Sequence, residues 1–450
     1  MGEPGVSPRS RARPQSTPEI STIDDLSHEG RGVTHHGGKV VFVEDALPGE
    51  RVEWLRLRRG SNFDEARLER VLEASPDRVV PRCAHFGVCG GCALQHLSAE
   101  QQIEFKQRQL TEALARIGKV TAHEILAPLR AGLWNYRRRA RLAARWVPKK
   151  DRVVVGFKER STSYIADLKR CEILRAPLDA LIPQLSELLT SLSIRNRVPQ
   201  IEVAVADNAV ALVIRVLEPL TESDMERLRS FEQQHDLQVF LQPGGYESIA
   251  PLRAEVAPLS YQLRQFDVRI EFQPTDFVQV NGELNERMVQ HVTGLLGLTG
   301  EETVLDLFCG LGNFSLPLAR LSKHVVGIEG EAGLVARARQ NALRNDLANT
   351  EFFTANVAAE DVQDAAWAKR RYDKVLLDPP RAGALEVLPV VAASGASRLV
   401  YVSCHPGTLA RDAGVLVHQH GFTLTAAGVM DMFPHTAHVE SVAVFARGRR

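Results

Sequence analysis

The chain has 450 residues, enough for two or three domains at the usual ~100–200 residues each. Lys plus Arg and Asp plus Glu both number 55, so the net charge is zero, which excludes whole-chain attraction to a polyanion and makes any basic surface local. No apolar run is long enough to span a membrane and the polar start is not signal-like, so a cytoplasmic protein is expected, whose six cysteines point to metal binding or catalysis rather than a disulfide framework.

Residues 1–20, rich in Pro, Ser, Arg and Gly, read as a disordered tail. From 21 to 75 short apolar runs are split by Gly and Pro turns: Lys39-Val40-Val41-Phe42-Val43, then Leu47-Pro48-Gly49-Glu50, then alternation from Arg51 to Leu57. This spacing predicts a small β-barrel. The arrangement resembles the TRAM domain, an OB-like RNA-binding barrel carried by RNA-modifying enzymes.

Residues 76–265 form a central α+β domain in this reading. Cys83, Cys89 and Cys92 lie in a C-x5-C-x2-C pattern on a loop containing glycines, which can fold around a metal and aim several thiolates at one point. Cys171 is the remaining cysteine outside the C-terminal half. Zinc sites commonly use two paired C-x2-C hooks; one hook plus two single cysteines favours an iron–sulfur cluster over zinc. His85 and His96 are either further ligands or ordinary loop histidines.

A helix including Gln102, Phe105, Gln109 and Leu110 follows, ending near Gly118. From Arg137 to Lys150 there are seven positive and no negative side chains, flanked by Trp134, Tyr136 and Trp146. Cations neutralise phosphates and aromatics stack on unpaired bases, so this stretch is a candidate nucleic-acid surface. The alternative is an Arg-rich, solvated strand edge. Runs such as Ile201–Val205 and Ala211–Ile214 predict more sheet, with a helix near 220–234.

Residues 266–450 alternate β and α patterns, which implies a parallel sheet covered by helices. A helix is expected from about Gly282 to Leu296. A buried strand, Thr303–Phe308, runs into Cys309-Gly310-Leu311-Gly312-Asn313 and then a helix, the first βα unit of a dinucleotide-type fold. A second strand ends at Glu329, 17 residues past Gly312, where a carboxylate can accept both ribose hydroxyls. Further strand ends carry Asn356, Asp378-Pro379-Pro380-Arg381, and Ser403-Cys404-His405-Pro406-Gly407. Cys404 stands where a strand stops at the carboxyl edge of a sheet, the position of a nucleophile; the plainer reading is a small buried apolar residue. Cys309 reads as structural.

Taken together, Phe277-x-Gln279-x-Asn281, Asp306-Leu307-Phe308-Cys309-Gly310-x-Gly312-Asn313-Phe314, Asp378-Pro379-Pro380-Arg381-x-Gly383 and Ser403-Cys404-x-Pro406 resemble the RNA uracil-C5 methyltransferase family, over roughly residues 22–445. The barrel and cysteine cluster point to its bacterial 23S rRNA branch. The resemblance implies a class I, Rossmann-like domain dependent on S-adenosylmethionine (SAM). It implies SAM contacts at Gln279, Phe308, Asn313, Glu329, Asn356 and Asp378, a nucleophile at Cys404 and a base at Glu440. It also implies a [4Fe–4S] cluster on Cys83, Cys89, Cys92 and Cys171. The implied partner is a single-stranded or loop region of 23S rRNA, with no membrane and no obligate protein partner. For Glu440 the alternative is an exposed charge before the final strand, Val442–Phe445. The family usually has Asn where this chain has His405, which puts the local hydrogen bonding in question. Competing readings are an iron–sulfur oxidoreductase, an RNA-binding protein with a decayed enzyme domain, and the same chemistry on tRNA or another rRNA uridine.

Overall fold

The computed structural model describes residues 17–448, so most of the expected 1–20 tail lies outside the described residues; a strand already begins at Glu19. The described residues divide into two compact units. One lies within Met1–Gly87, Cys92–Phe105 and His435–Ala437, and the other within Val88–Gly91, Lys106–Pro434 and His438–Arg450.

The first unit holds β1 (Glu19–Thr22), β2 (Asp25–Leu26), β3 (Gly32–His36), β4 (Lys39–Glu44), β5 (Arg51–Arg59) and β6 (Phe63–Glu73), hydrogen-bonded in the order β1-β5-β6-β4-β3-β2. Gly37 and Gly38 join β3 to β4 with φ of +58° and +77°, the left-handed pair that a two-residue hairpin requires. Alternation along β5 turns Val52 and Trp54 into a core with Ile23, Val41 and Val43. The arginines of this sheet lie against carboxylates: Arg56 against Glu19 and Asp64, Arg58 against Glu65, Arg70 against Glu53.

Helix α1 (Ala99–Ala113) runs into a single π-helical turn, Leu114–Gly118. The short strand β7 (Glu124–Ile125) follows. A central sheet then forms from β8 (Arg139–Val147), β9 (Arg152–Gly156), β10 (Gln200–Val205), β11 (Val210–Arg215), β12 (Gln238–Gln242) and β13 (Ala250–Pro251), in the order β13-β12-β11-β10-β8-β9. Helices α2 (Leu178–Ser191) and α3 (Glu222–Gln234) connect its strands. Thr221 and Asp224 start α3 with a reciprocal capping box.

Four of the seven cations of the basic stretch 137–150 lie against carboxylates. Arg138 pairs with Asp207, Arg139 and Arg141 with Glu202, and Lys150 with Asp167. Tyr136 is buried and donates to Pro434 O (3.1 Å), while Arg195 covers the Trp146 ring at 4.5 Å. The sequence shows the cations of β8 but not the carboxylate of β10 that folds against them.

The antiparallel ribbon β14 (Leu259–Leu263) and β15 (Val268–Phe272) precedes α4 (Gly282–Leu296). Then come β16 (Thr303–Leu307), α5 (Ser315–Leu321), β17 (His324–Glu329), α6 (Ala332–Arg344), β18 (Thr350–Thr354), β19 (Lys374–Leu377), α7 (Leu388–Ala393), β20 (Arg398–Ser403), α8 (Pro406–His418), β21 (Thr423–Met430) and β22 (Glu440–Ala446). The sheet order is β18-β17-β16-β19-β20-β22-β21-β7. Its β16–β20 portion is parallel, as expected, but β22 runs antiparallel to both of its neighbours, which corrects the all-parallel expectation. The reason is reach: nine residues separate Met430 from Glu440, and a parallel crossover needs a dozen or more. One hydrophobic core carries residues of the central sheet, the ribbon, α4 and the eight-stranded sheet, among them Val213, Tyr261, Leu284, Val304 and Val400. Among the described residues, no helix is long and apolar enough to cross a membrane.

Candidate active site

Strands β16 to β20 run parallel, so their last residues share one edge. The reversed β22 brings its first residue to the same edge. Ser403 pairs with Ser441 in the β20–β22 register, and Ser441 Oγ donates to Ser403 O (3.0 Å). One residue beyond that pair lie Cys404, just past the end of β20, and Glu440, the first residue of β22, near enough that the Glu440 charge acts on the Cys404 thiol. Glu440 is 4% exposed and lies within the strand, so it is not the exposed charge of the alternative reading.

Past Cys404 the chain turns directly into α8. His405 is its N-cap, and Nδ1 accepts from Thr408 N–H (3.2 Å). An asparagine oxygen would accept in the same way, so the departure from the family pattern keeps the cap. Pro406 at the first helical position suits that start.

The Asp378-Pro379-Pro380-Arg381 loop is tied to α8 by Asp412, a fully buried carboxylate. Its Oδ2 accepts from Tyr401 Oη and from Ala384 N–H, each at 2.7 Å, and its Oδ1 accepts from Arg411 Nε (2.8 Å). Arg381 Nη2 donates to His438 Nδ1 (3.0 Å), two residues before Glu440.

At β16 the backbone turns sharply, with φ of +67° at Phe308, +54° at Gly310 and +91° at Gly312. A left-handed phenylalanine costs about 1–2 kcal/mol, which the surrounding bonds must offset. Cys309 N–H donates to Ile328 O (3.0 Å) and Gly310 N–H to Glu329 Oε2 (3.1 Å). The other Glu329 oxygen accepts from Glu331 N–H (3.0 Å), so each oxygen keeps one lone pair. Asn313 Oδ1 accepts from Tyr261 Oη and from Asn285 Nδ2, and Asn313 Nδ2 donates to Asn285 Oδ1, all at 2.9 Å. Asn356 is exposed at the end of β18, and Gln279 is half-buried just before the α4 cap, Asn281.

Electrostatically the edge resists negative charge. Burial pushes the Asp378 carboxyl up to about 7. Burial also raises Asp306 to about 7, with Asp378 and Glu329 adding repulsion, although Ser315 Oγ donates to it at 2.5 Å. Glu440 is held well above its ordinary value by burial and by Asp378. Burial and then the Glu440 charge raise the Cys404 thiol, while Arg381 pulls it down.

Residues 98–448 match the family model described as tRNA (Uracil-5-)-methyltransferase. The chain is 51% identical over 442 residues to the 23S rRNA (uracil(1939)-C(5))-methyltransferase RlmD of Xanthomonas axonopodis pv. citri (strain 306), covering 98% of this chain and 99% of that one. The chain belongs to the RNA uracil-C5 methyltransferase family. The corresponding enzyme of Stenotrophomonas maltophilia (strain K279a) is also 51% identical, over 97% of this chain and 99% of its own length. The fold is shared with the Pyrococcus abyssi tRNA (uracil-54, C5)-methyltransferase, solved with S-adenosyl-L-homocysteine, at a TM-score of 0.73 and 24% identity, over 95% of this chain and 100% of that one.

The four cysteines expected at a cluster have fitting donor chemistry: none is in a disulfide, Cys171 is buried and the other three are half-buried. Gly91 N–H donates to Cys89 Sγ (3.4 Å), the kind of bond that favours a thiolate ligand. Among the described residues, however, no group of three or more His, Cys, Asp or Glu side chains is arranged to hold a metal ion.

Sequence reasoning missed Asp412, Tyr261 and Asn285. Only Asp412 carried a signal, an acidic residue on a face otherwise made of Leu409, Ala413 and Leu416. The opposed charges around Cys404 predict its titration. Alkylation of wild-type protein by iodoacetamide across a pH series will give a thiol pKa above the ordinary value. Glu440→Gln will lower that pKa and Arg381→Gln will raise it; shifts of the opposite sign would contradict this charge arrangement.

Proposed function

We propose that this chain is a SAM-dependent methyltransferase that makes 5-methyluridine in 23S rRNA, at the uridine corresponding to 1939 in its relatives, through a covalent bond between Cys404 and carbon 6 of the base. The observation that carries the reading is the placement of Cys404 just past β20 and Glu440 at the start of β22, each next to the Ser403–Ser441 pair, one a thiol and the other a buried carboxyl whose charge acts on it. The relatives named for this reaction and the family match support it.

Carbon 5 of uracil is a weak nucleophile. The Cys404 thiolate adds to carbon 6, and the π electrons pass to carbon 5 and the O4 enolate. Carbon 5 then takes the methyl group, and the sulfur–methyl bond of SAM breaks. Glu440 removes the carbon 5 proton, and the carbon 6–sulfur bond breaks to regenerate the thiolate. Cys404 and Glu440 repel when both are charged, so they ionise in turn. The thiolate comes first, beside Arg381; the carboxylate follows once the ring has consumed that charge. One proton leaves the site per methyl group transferred. The target base must leave any RNA stack to reach Cys404.

Gln279, Phe308, Asn313, Glu329, Asn356 and Asp378 hold SAM in this proposal, with Glu329 accepting from the ribose. The remaining features follow the same reading. Residues 21–75 form an OB-like TRAM barrel that holds RNA. Residues 76–265 form the iron–sulfur and RNA-binding domain, and residues 266–450 the methyltransferase domain. Cys83, Cys89, Cys92 and Cys171 hold a [4Fe–4S] cluster that shapes the RNA-binding region and takes no part in the reaction. The protein works in the cytoplasm.

Two measurements follow. Labelled SAM and unmodified 23S rRNA, followed by digestion and mapping, will give 5-methyluridine at one position, and Cys404→Ala will lose the transfer. Transfer surviving in Cys404→Ala would overturn the nucleophile, and transfer to tRNA alone would overturn the substrate. Anaerobically purified protein will carry about four iron atoms per chain and matching acid-labile sulfide. Replacing Cys89 by Ser will reduce both, whereas iron-free protein from anaerobic, iron-replete growth would remove the cluster.

A further inference from the structure

Three side chains from distant parts of the chain meet in the glycine-rich turn. Tyr261 comes from β14, Asn285 from the first turns of α4 and Asn313 from the end of the turn itself. Tyr261 and Asn285 are buried, at 5% and 3% exposure, whereas Asn313 keeps open surface. The Asn313 amide has two acceptor lone pairs and two N–H donors. Both acceptor positions are filled, by Tyr261 Oη and Asn285 Nδ2, and one donor is used on Asn285 Oδ1. One N–H remains. Burial raises the Tyr261 hydroxyl far above its ordinary value, so it stays protonated. The Arg138 guanidinium lies over the Tyr261 ring, 5.8 Å from its centre, and donates to Asp207 (3.1 Å).

The rest of this edge is rich in carboxyls: Asp306, Asp378, Glu329 and Glu440. Such groups suit the sulfonium, the ammonium and the ribose hydroxyls of SAM. They offer no free donor of fixed orientation to its one anionic group, the carboxylate of the methionine moiety, which needs one.

Building on the reading above, we propose that Tyr261 and Asn285 are positioning residues that fix the orientation of the Asn313 amide, so that it presents a single N–H to the SAM carboxylate and no acceptor to the ammonium. The lock selects a methyl donor bearing a carboxylate over one lacking it. It acts on cofactor binding, and the nucleophile and base are untouched.

The test is calorimetric binding of SAM and of decarboxylated SAM to the holoprotein without RNA, for wild type, Tyr261→Phe, Asn285→Ala and Asn313→Ala. Wild type will prefer SAM by about tenfold, the worth of a charge-assisted hydrogen bond. Asn313→Ala will abolish most of that preference. Tyr261→Phe, which keeps the ring, will weaken SAM binding roughly three- to tenfold while binding of the decarboxylated analogue changes little. In turnover with 23S rRNA, Tyr261→Phe will raise KM for SAM and leave kcat near wild type. A merely structural role would weaken both ligands equally. Equal weakening, or a preference for SAM unchanged in Asn313→Ala, would overturn the lock. Wild type that binds neither ligand would instead overturn the SAM-dependent reading. Should Asn285→Ala fail to fold, Tyr261→Phe still decides the matter.

Discussion

Nine residues join β21 to β22, too few to carry the chain back across the sheet for a parallel strand. The chain therefore returns antiparallel and slots between β20 and β21. An open parallel sheet gathers the carboxyl ends of its strands at one edge, and a reversed strand contributes its amino end to that edge instead. Here that end is Glu440, near the residue just past β20, Cys404. A parallel final strand would have left the two at opposite edges. The proximity of Cys404 and Glu440 is a consequence of a short loop.

The surrounding chemistry is set by burial more than by ion pairing. Asp306 and Asp378 are raised to about 7, and Glu440 is held well above its ordinary value. A carboxyl held up in this way is a stronger base once ionised, and the crowding means that few of these groups carry charge together. Arg381 is the neighbour that favours the Cys404 thiolate. Asp412, shared between Tyr401, Ala384 and Arg411, holds the loop that bears Asp378 and Arg381. Elsewhere the charge economy differs. Arg56 of β5, Arg70 of β6 and Arg141 of β8 each lie against a carboxylate, so much of the chain's positive charge is paired locally.

What was legible in the sequence was local. The turn at Gly310 and Gly312, the helix from Gly282 to Leu296 and the strand ending at Cys404 follow from short-range apolar pattern and glycine chemistry, and each is present. The tertiary partners were not legible. Tyr261 and Asn285 are ordinary residues until they meet Asn313 across 52 and 28 positions. From its residues alone Glu440 read as a surface charge, and only the family resemblance pointed to a base, because its burial depends on the strand reversal. The Arg-rich stretch read as a nucleic-acid surface or a solvated strand edge because Glu202 and Asp167, which pair with part of it, lie elsewhere in the chain. His405 looked like a disruption, yet its ring nitrogen caps α8.

The central claim is that Cys404 and Glu440 work on one base in sequence, first bonding to it and then deprotonating it. The direct measurement is to incubate Glu440→Gln with SAM and unmodified 23S rRNA, then run the mixture on a denaturing gel and map any cross-linked peptide by mass spectrometry. The account predicts a stable protein–RNA adduct bearing the transferred methyl group, with the uridine attached at Cys404. Free, fully methylated RNA released at the wild-type rate, or an adduct at another residue, would contradict it.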